Sequence, residues 1–408
     1  MTQPVRYITF LKDVALLSIT CFGGPQAHIS HFQNLLVKRR SYLSDEDLLE
    51  LNALGQVLPG PTSTQTLTAV GYKLGGPNLA YLTLLIWMLP SVIVMTGAAI
   101  LLSNFESKNI SLDFTRFIMP MAVGFVAYAA YSISLKTVNT QLGIIVMIAS
   151  GVVSYFIQTP FIFPIILLVA GTVTSFNYKA HPKQEKQKIT VSWANFFLWG
   201  GVLIFVALLG WVTKSVPAVT IPVRLFENFY RNGSLVFGGG QVLTPMLYTE
   251  FVQYAPNKLV MMQYGMHYLS TEEFLSGYAL AQSVPGPVFS FSAYIGALSM
   301  REFGIPGEIV GAIMSAAGIF LPGTFLIFFM IRVWEGLKKY RPIRASLEGI
   351  HAANAGLVAA AAIVLFQPLE NTITNYGFTV GTFCLMAFTK LPSWAIIGFG
   401  LLLGFILK

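Results

Sequence analysis

The runs 79–102 (LAYLTLLIWMLPSVIVMTGAAILL), 194–213, 308–331 and 391–407 carry at most one charged residue each. Each run is close to the roughly 20 residues that an α-helix needs to cross a bilayer. A chain in hydrocarbon must satisfy its backbone polar groups internally, which leaves helices or closed barrels. A barrel would show alternating segments of about ten residues, and these runs do not alternate. An all-α polytopic membrane protein is therefore predicted. Composition agrees, with 55% hydrophobic and 10% charged residues, where a soluble domain carries about 25% charged.

Other classes fall away quickly. Arg6, Lys12 and Asp13 interrupt the first apolar run and no A-x-A site follows, so no cleavable signal is expected. Cys21 and Cys384 lie in apolar surroundings and form no disulfide framework. The net charge of +8 suits cytoplasmic loops, which collect Lys and Arg. No basic, aromatic-rich domain is present, so no nucleic-acid partner is expected. The five His are scattered, and there is no metal-ligand cluster, phosphate loop or nucleophile constellation. No cofactor and no enzyme activity are expected.

The chain is written twice. FGGPQ (22–26) recurs as FGGGQ (237–241). YLSDEDLLELNALGQVLPGP, ending at Pro61, recurs as YLSTEEFLSGYALAQSVPGP, ending at Pro287. Pro59 maps to Pro285 and Ser44 to Ser270, both by a shift of 226 (285 − 59 and 270 − 44). MLPS (88–91) echoes FLPG (320–323), and AVGFV (122–126) echoes NAGLV (354–358). The predicted plan is thus a first half over 1–176, a linker over 177–216 and a second half over 217–408. The linker holds a basic polar stretch, NYKAHPKQEKQK (177–188), and one extra apolar span, 194–213.

Each half holds four full crossings: 79–103, 114–136, 141–158 and 161–176, then 306–331, 347–366, 372–389 and 392–407. It also holds two broken segments, 6–38 and 45–75 in the first half and 222–250 and 271–301 in the second. An even half followed by one linking helix turns the second half upside down. Inverted repeats are a recurring plan of secondary transporters. With the N-terminus cytoplasmic, 17 Lys and Arg fall inside and 8 outside, in the direction of the positive-inside rule. The C-terminus is then outside. The count does not decide whether the broken segments cross fully.

The breaks themselves carry the functional signal. Pro59-Gly60-Pro61 should end one helix and start another, because Pro lacks a donor and clashes with the preceding turn. Gly23-Gly24-Pro25, Gly238-Gly239-Gly240 and Pro285-Gly286-Pro287 should do the same. Freed backbone groups inside a membrane survive only in protein or against a cavity. The N-terminus of the second half-helix offers N–H groups and the positive end of the helix dipole, which suit an anion. After Pro61 that helix opens with Thr62, Ser63, Thr64 and Gln65; after Pro287 it reaches Ser290. Gln26 and Gln241 follow the glycine breaks, and Gln56 and Gln282 precede the prolines. These neutral donors suit an oxyanion that must bind and leave.

Ionisable residues near the breaks are candidates for coupling, since such groups in a membrane are costly. They are Lys12, Asp13, His28 and Glu227. Lys12 aligns with Glu227 by a shift of 215 (227 − 12). His28 follows the first break and has a side chain that titrates near neutral pH. Lys12 also suits snorkelling to the headgroups.

The stretches FGGPQAHISHF, RRSYLSDEDLLELNALGQVLPGPTSTQ, FGGGQVLTPML and YLSTEEFLSGYALAQSVPGPVFSFSAYIGA, in this order, resemble the chromate ion transporter family in its two-domain form. The match covers nearly the whole chain. It implies a multi-pass protein of the cytoplasmic membrane that exports chromate, or a similar tetrahedral oxyanion such as sulfate, and gives chromate resistance. The family motifs fall on Gly23, Gly24, Pro25, Gln56, Pro59, Gly60, Pro61 and Gln65, and on Gly238, Gly239, Gly240, Gln282, Pro285, Gly286 and Pro287. Gln241 departs from the pattern, since many members carry His there. A passive anion channel on the same scaffold, or a carrier of another small anion, stays open. Proton coupling and a homodimer stay open as well.

Overall fold

The computed structural model describes residues 6–107, 115–159, 161–178, 193–213, 216–236, 242–253, 269–334 and 340–407. Gly238, Gly239, Gly240, Gln241 and most of the basic stretch 177–188 lie outside them. Among the described residues every regular element is a helix, sixteen of them α-helices. The chain divides into two compact units, and each unit draws segments from both sequence halves.

The first unit covers 1–100, 190–240 and 284–334. It holds α1 (Tyr7–Thr20), α2 (Gly24–Phe32), α3 (Asp45–Val57) and most of α4 (Thr62–Ser107). From later in the chain it takes α8 (Ala194–Val212), α9 (Pro217–Leu235), α12 (Phe291–Ser299) and α13 (Gly304–Met330). A π-helical stretch, Gln33–Arg39, extends α2. The start of α3 is legible: Ser44 Oγ accepts from the Asp47 amide at 3.0 Å, and Asp45, Glu46 and Asp47 fill the first turn. Both favour a helix N-terminus. At 46 residues α4 is too long for one crossing, and it kinks at Gly75 and Gly76. The part before the kink is a half-helix of about 20 Å.

Phe10, Leu17, Phe32, Leu54, Trp87 and Ile327 form the core of this unit. Small residues let α9 and α13 approach closely. A Cβ on Gly318 would lie 2.7 Å from the Phe226 carbonyl, and one on Gly233 would lie 2.7 Å from the Ile319 carbonyl. Such contacts are the usual adhesive between membrane helices. In α8 only Val206 and Gly210 are buried, and Phe197, Ile204, Phe205, Leu208 and Trp211 are exposed. An exposed apolar surface of this extent belongs against lipid.

The second unit covers 101–189, 241–283 and 335–408. It holds α5 (Ile118–Thr137), α6 (Gln141–Phe156), α7 (Ile162–Ser175), α10 (Leu243–Tyr248) and α11 (Thr271–Ser283). It also holds α14 (Arg341–Phe366), α15 (Ile373–Phe388) and α16 (Ser393–Ile406). α14 is central and packs on α5, α6 and α7. Gly356 meets the Met147 carbonyl of α6, and Gly349 meets the Ala170 carbonyl of α7. α11 opens with a capping box: Ser270 Oγ accepts from the Glu273 amide at 3.1 Å, and Glu273 Oε2 accepts from the Ser270 amide at 2.6 Å.

Among the described residues five helices are long and apolar enough to cross a membrane: Thr62–Phe105, Ile118–Thr137, Ala194–Val212, Arg301–Met330 and Arg341–Phe366. α6, α7, α15 and α16 are equally apolar but have only 14 to 16 residues, about 21–24 Å. The apolar runs in the sequence are longer than these helices because their ends are coil, as at Pro392 and Thr372.

Candidate functional site

Three of the four expected breaks are described, and all of them lie at special backbone geometry. α1 ends at Thr20, Cys21 is extended, and Gly23 (φ 92) and Gly24 (φ 76) turn the chain into α2. α3 ends at Val57, Gly60 has φ 121, and α4 starts at Thr62. α11 ends at Ser283, Gly286 has φ 95, and a 3-10 turn, Val288–Ser290, leads into α12. Of the fourth break only the entry is described: α9 ends at Leu235 and Val236 is extended, with φ −85 and ψ 104. Cys21 has nearly the same angles, φ −84 and ψ 102.

The breaks meet in pairs within the first unit, and the halves are exchanged between the pairs. The Gly60 amide donates to the Val236 carbonyl at 2.6 Å, and the Gly286 amide donates to the Cys21 carbonyl at 2.9 Å. Gly286 is Gly60 plus 226, and Val236 is Cys21 plus 215, the shifts of the two motifs. A Cβ on Gly60 would sit 3.4 Å from Gly323 Cα, and one on Gly286 would sit 3.3 Å from Ser91 Cβ. Ser91 and Gly323 close the MLPS and FLPG echoes. The same three-part contact is thus made twice.

The polar start of α4 is buried around the first of these contacts. Thr62, Ser63, Thr64, Gln65, Thr66 and Thr68 are all buried. Gln65 Nε2 donates to the Pro59 carbonyl at 2.6 Å and reaches the Gly323 carbonyl at 3.4 Å. His28 Nδ1 and Ser63 Oγ lie 3.0 Å apart. Trp87 Nε1 donates to Thr64 Oγ1 at 3.1 Å, and its ring stands edge-on to His28. Gln65 Oε1, Thr68 Oγ1 and His28 Nε2 are buried with no hydrogen-bond partner among the described residues. Leaving such a group unmet costs about 1–3 kcal/mol. Gln65 and Thr68 stand one turn apart on α4, and His28 reaches the same stretch from α2 through Ser63.

The other predicted residues are placed differently. Gln56 is exposed near the end of α3. Pro59 and Pro61 are buried beside Gly60, and Pro285 and Pro287 flank Gly286. Ser290 Oγ donates to the Pro287 carbonyl at 2.8 Å, within its own turn. Gln282 belongs to the second unit, where its carbonyl accepts from Ser393 Oγ. Pro25 lies in the first turn of α2 and Gln26 follows it. Lys12 is exposed. Glu227 pairs with Arg224 at 3.0 Å and with Arg231 at 3.8 Å, both on its own helix.

Asp13 is the buried acid of α1. Its carboxylate accepts from Arg40 Nη2 at 2.8 Å and from the Tyr42 hydroxyl at 2.6 Å. Burial pushes the Tyr42 phenol up to about 12, and the Asp13 carboxylate adds to the effect. Tyr42 therefore stays a donor at physiological pH and helps fix the turn after Arg39 to α1. Asp13→Asn should lower stability by about 1–2 kcal/mol, read by thermal unfolding in detergent; the half-exposed Arg40 can rehydrate, which limits the loss.

Sequence reasoning missed Trp87, Val236, Gly323, Arg40 and Tyr42. Trp87 sits inside an apolar run and gives no polar signal. Gly323 and Ser91 were visible as an echo without a role. Cys21 and Val236 merely precede the glycine motifs.

Paired helix breaks inside an all-α membrane protein, with buried neutral polar groups beside them, are a plan that membrane transporters use. The family model for "Chromate transporter" matches twice, over residues 8–176 and 223–405. The chain belongs to the chromate transporter family, a family of membrane transporters and not of enzymes. An uncharacterized transporter of Methanocaldococcus jannaschii is 22% identical over 98% of this chain and 93% of its own length. A "Probable chromate transport protein" of Synechococcus elongatus is 27% identical over 96% and 90%. A "Chromate transport protein" of Cupriavidus metallidurans is 26% identical over 94% and 89%. No solved structure matches the chain.

Proposed function

We propose that this chain is a secondary transporter of chromate, and of sulfate as its tetrahedral analogue, working outward across the cytoplasmic membrane. The names of the Synechococcus and Cupriavidus relatives support the substrate. The observation that carries the site is the reciprocal contact of Gly60 with Val236 and of Gly286 with Cys21. Two equivalent closures, with the sequence halves exchanged, suit a carrier that opens one while the other holds. The two stretches 1–176 and 217–408 are read as inverted repeats joined by 177–216, with the N-terminus inside and the C-terminus outside.

In this reading the anion binds at the first turn of α4. There the amides of Thr62, Ser63 and Thr64 lack acceptors within their own helix, as at any helix start. The Ser63 hydroxyl belongs to the same turn, and the buried Thr68 hydroxyl follows one turn later. Gln65 Nε2 now holds Pro59 and Gly323 together, so an oxyanion that takes this donor loosens the break. Neutral donors let the anion leave again. Exit of a dianion from a negative-inside cell is favoured by about 4.6 kcal/mol at 100 mV. Outward transport thus needs no coupling ion, and proton exchange through His28 or Asp13 is an addition to be tested.

Chromate and sulfate flux into proteoliposomes, with membrane potential and pH gradient set independently, tests the reading. Saturable chromate flux that follows the potential is expected. Gln65→Met should lower it at least about tenfold at equal protein level, since the bond to the Pro59 carbonyl and the donor offered to the anion are lost together. Unitary currents without saturation would mean a channel, and absence of flux for both anions would overturn the substrate.

A further inference from the structure

The side-chain amide of Gln65 is oriented by its neighbours. Its nitrogen, Nε2, lies 2.6 Å from the Pro59 carbonyl and 3.4 Å from the Gly323 carbonyl. Both neighbours are acceptors, so the nitrogen and not the oxygen must face them. A Cβ on Gly60 or on Gly323 would meet Nε2 first, at 2.8 and 2.7 Å, and then the amide carbon, at 3.3 and 3.4 Å. Oε1 is thus turned away from both glycines. The side chain is buried, and Oε1 has no hydrogen-bond partner among the described residues.

An amide oxygen accepts and cannot donate. What Oε1 lacks is a donor, and a fully deprotonated oxyanion has none to give. The free amides of the first turn suit the oxygens of such an ion, whereas Oε1 suits an O–H group. The bond from Nε2 to Gly323, at 3.4 Å, is long and yields most easily. An amide with one N–H and its oxygen available matches a group O=X–O–H through two parallel bonds. The N–H donates to the oxo oxygen, and the O–H donates to Oε1. Tetrahedral oxyanions differ in whether they carry that group near neutral pH. Hydrogensulfate is a strong acid, so sulfate is a bare dianion. Chromate takes up a proton close to neutrality and becomes HO–CrO3−.

We propose that the site takes chromate in its singly protonated form, hydrogenchromate, and that Gln65 reads the Cr=O and Cr–OH pair and so prefers chromate to sulfate. A site that bonds a hydroxyl disfavours the analogue without one, because its own buried polar group stays unpaired; for sulfate a disadvantage of about tenfold or more is expected. The proton travels on the ligand, so one negative charge moves with each chromate. The membrane potential still drives it outward, with half the push that a dianion feels. This inference rests on the oxyanion reading above and adds the protonation state of the substrate.

The elements that meet this turn also carry titratable groups: His28 and His31 on α2, the acidic first turn of α3, Glu227 and its arginines on α9, and Glu308 on α13. Among the described residues the Gln65 side chain bonds to none of them, only to Pro59 and Gly323. The test uses the full-length protein in proteoliposomes, with chromate and sulfate as probes and equal pH on both sides, stepped across neutrality. The half-saturating total chromate should rise about tenfold per pH unit on the alkaline side, where the protonated fraction falls by that factor. Half-saturation by sulfate, read as flux or as inhibition of chromate flux, should stay within about twofold. At a fixed chromate gradient, flux should reverse at twice the potential that a dianion requires. Gln65→Met should flatten the pH slope and bring the two anions within about threefold of each other. Chromate half-saturation that ignores pH, or reversal at the potential of a dianion, overturns the inference and leaves the oxyanion reading standing. A parallel rise for both anions assigns the proton to a protein group such as His28 and overturns it too. No flux of either anion refutes both the inference and the reading beneath it. The deciding measurements are made on the wild type, so they stand even where Gln65→Met does not fold.

Discussion

Gly60→Ala should reduce stability by about 2–3 kcal/mol and reduce oxyanion flux far more than that loss accounts for. Gly60 has φ 121, in the region that L side chains avoid, so a Cβ brings backbone strain. The new Cβ would also lie 2.8 Å from Gln65 Nε2. Gln65 can swing aside, but then its 2.6 Å bond to the Pro59 carbonyl is lost. The 2.6 Å bond from the Gly60 amide to Val236 is strained as well. Gly286→Ala is the informative comparison. Its φ is 95, and its Cβ would meet Ser91 at 3.3 Å with no glutamine to displace. Its stability cost should be smaller, about 1–2 kcal/mol. Thermal unfolding in detergent and vesicle flux, measured on both variants, check this. Equal losses in both would mean that Gln65 contributes nothing at the first contact.

Gly356→Val is expected to have the largest effect on stability, about 3 kcal/mol or more, through packing alone. In the second unit a Cβ at Gly356 collides with the Met147 carbonyl and lies 3.0 Å from the Gly151 amide nitrogen. Both obstacles are backbone of α6, so no side chain can rotate out of the way and the helices must separate. α14 is the helix on which α5, α6 and α7 pack, so the displacement spreads through the unit. Gly381→Ala on α15 is the control. Nothing lies within 4 Å of its Cβ position, and the substitution should be neutral or slightly stabilising by helix propensity. A Gly356→Val protein with an unchanged unfolding temperature would refute the close α6–α14 contact.

Local rules made part of this protein legible. Apolar runs near 20 residues require helices in a bilayer, and helices are what form. Pro59-Gly60-Pro61 and Pro285-Gly286-Pro287 require breaks, because proline lacks the donor and glycine takes the positive φ. The repeated motifs put those breaks at matching places, and the polar run Thr62–Gln65 identified the turn that is buried beside one of them. The helix lengths of α6, α7, α15 and α16 were less legible, since hydropathy continues through residues whose backbone has already left the helix.

What the tertiary structure alone decided is which groups meet. The Gly60 amide finds the carbonyl of Val236, 176 residues away (236 − 60), and the Gly286 amide finds that of Cys21. Asp13 is held by Arg40 and Tyr42, whereas Glu227 turns to arginines on its own helix. Two acids on corresponding helices thus acquire different partners. Motif spacing carries no such information, because a partner across the fold depends on helix rotation, depth and close approach. Those are set by the summed packing of many apolar side chains and glycine contacts, and no short stretch of sequence contains that sum.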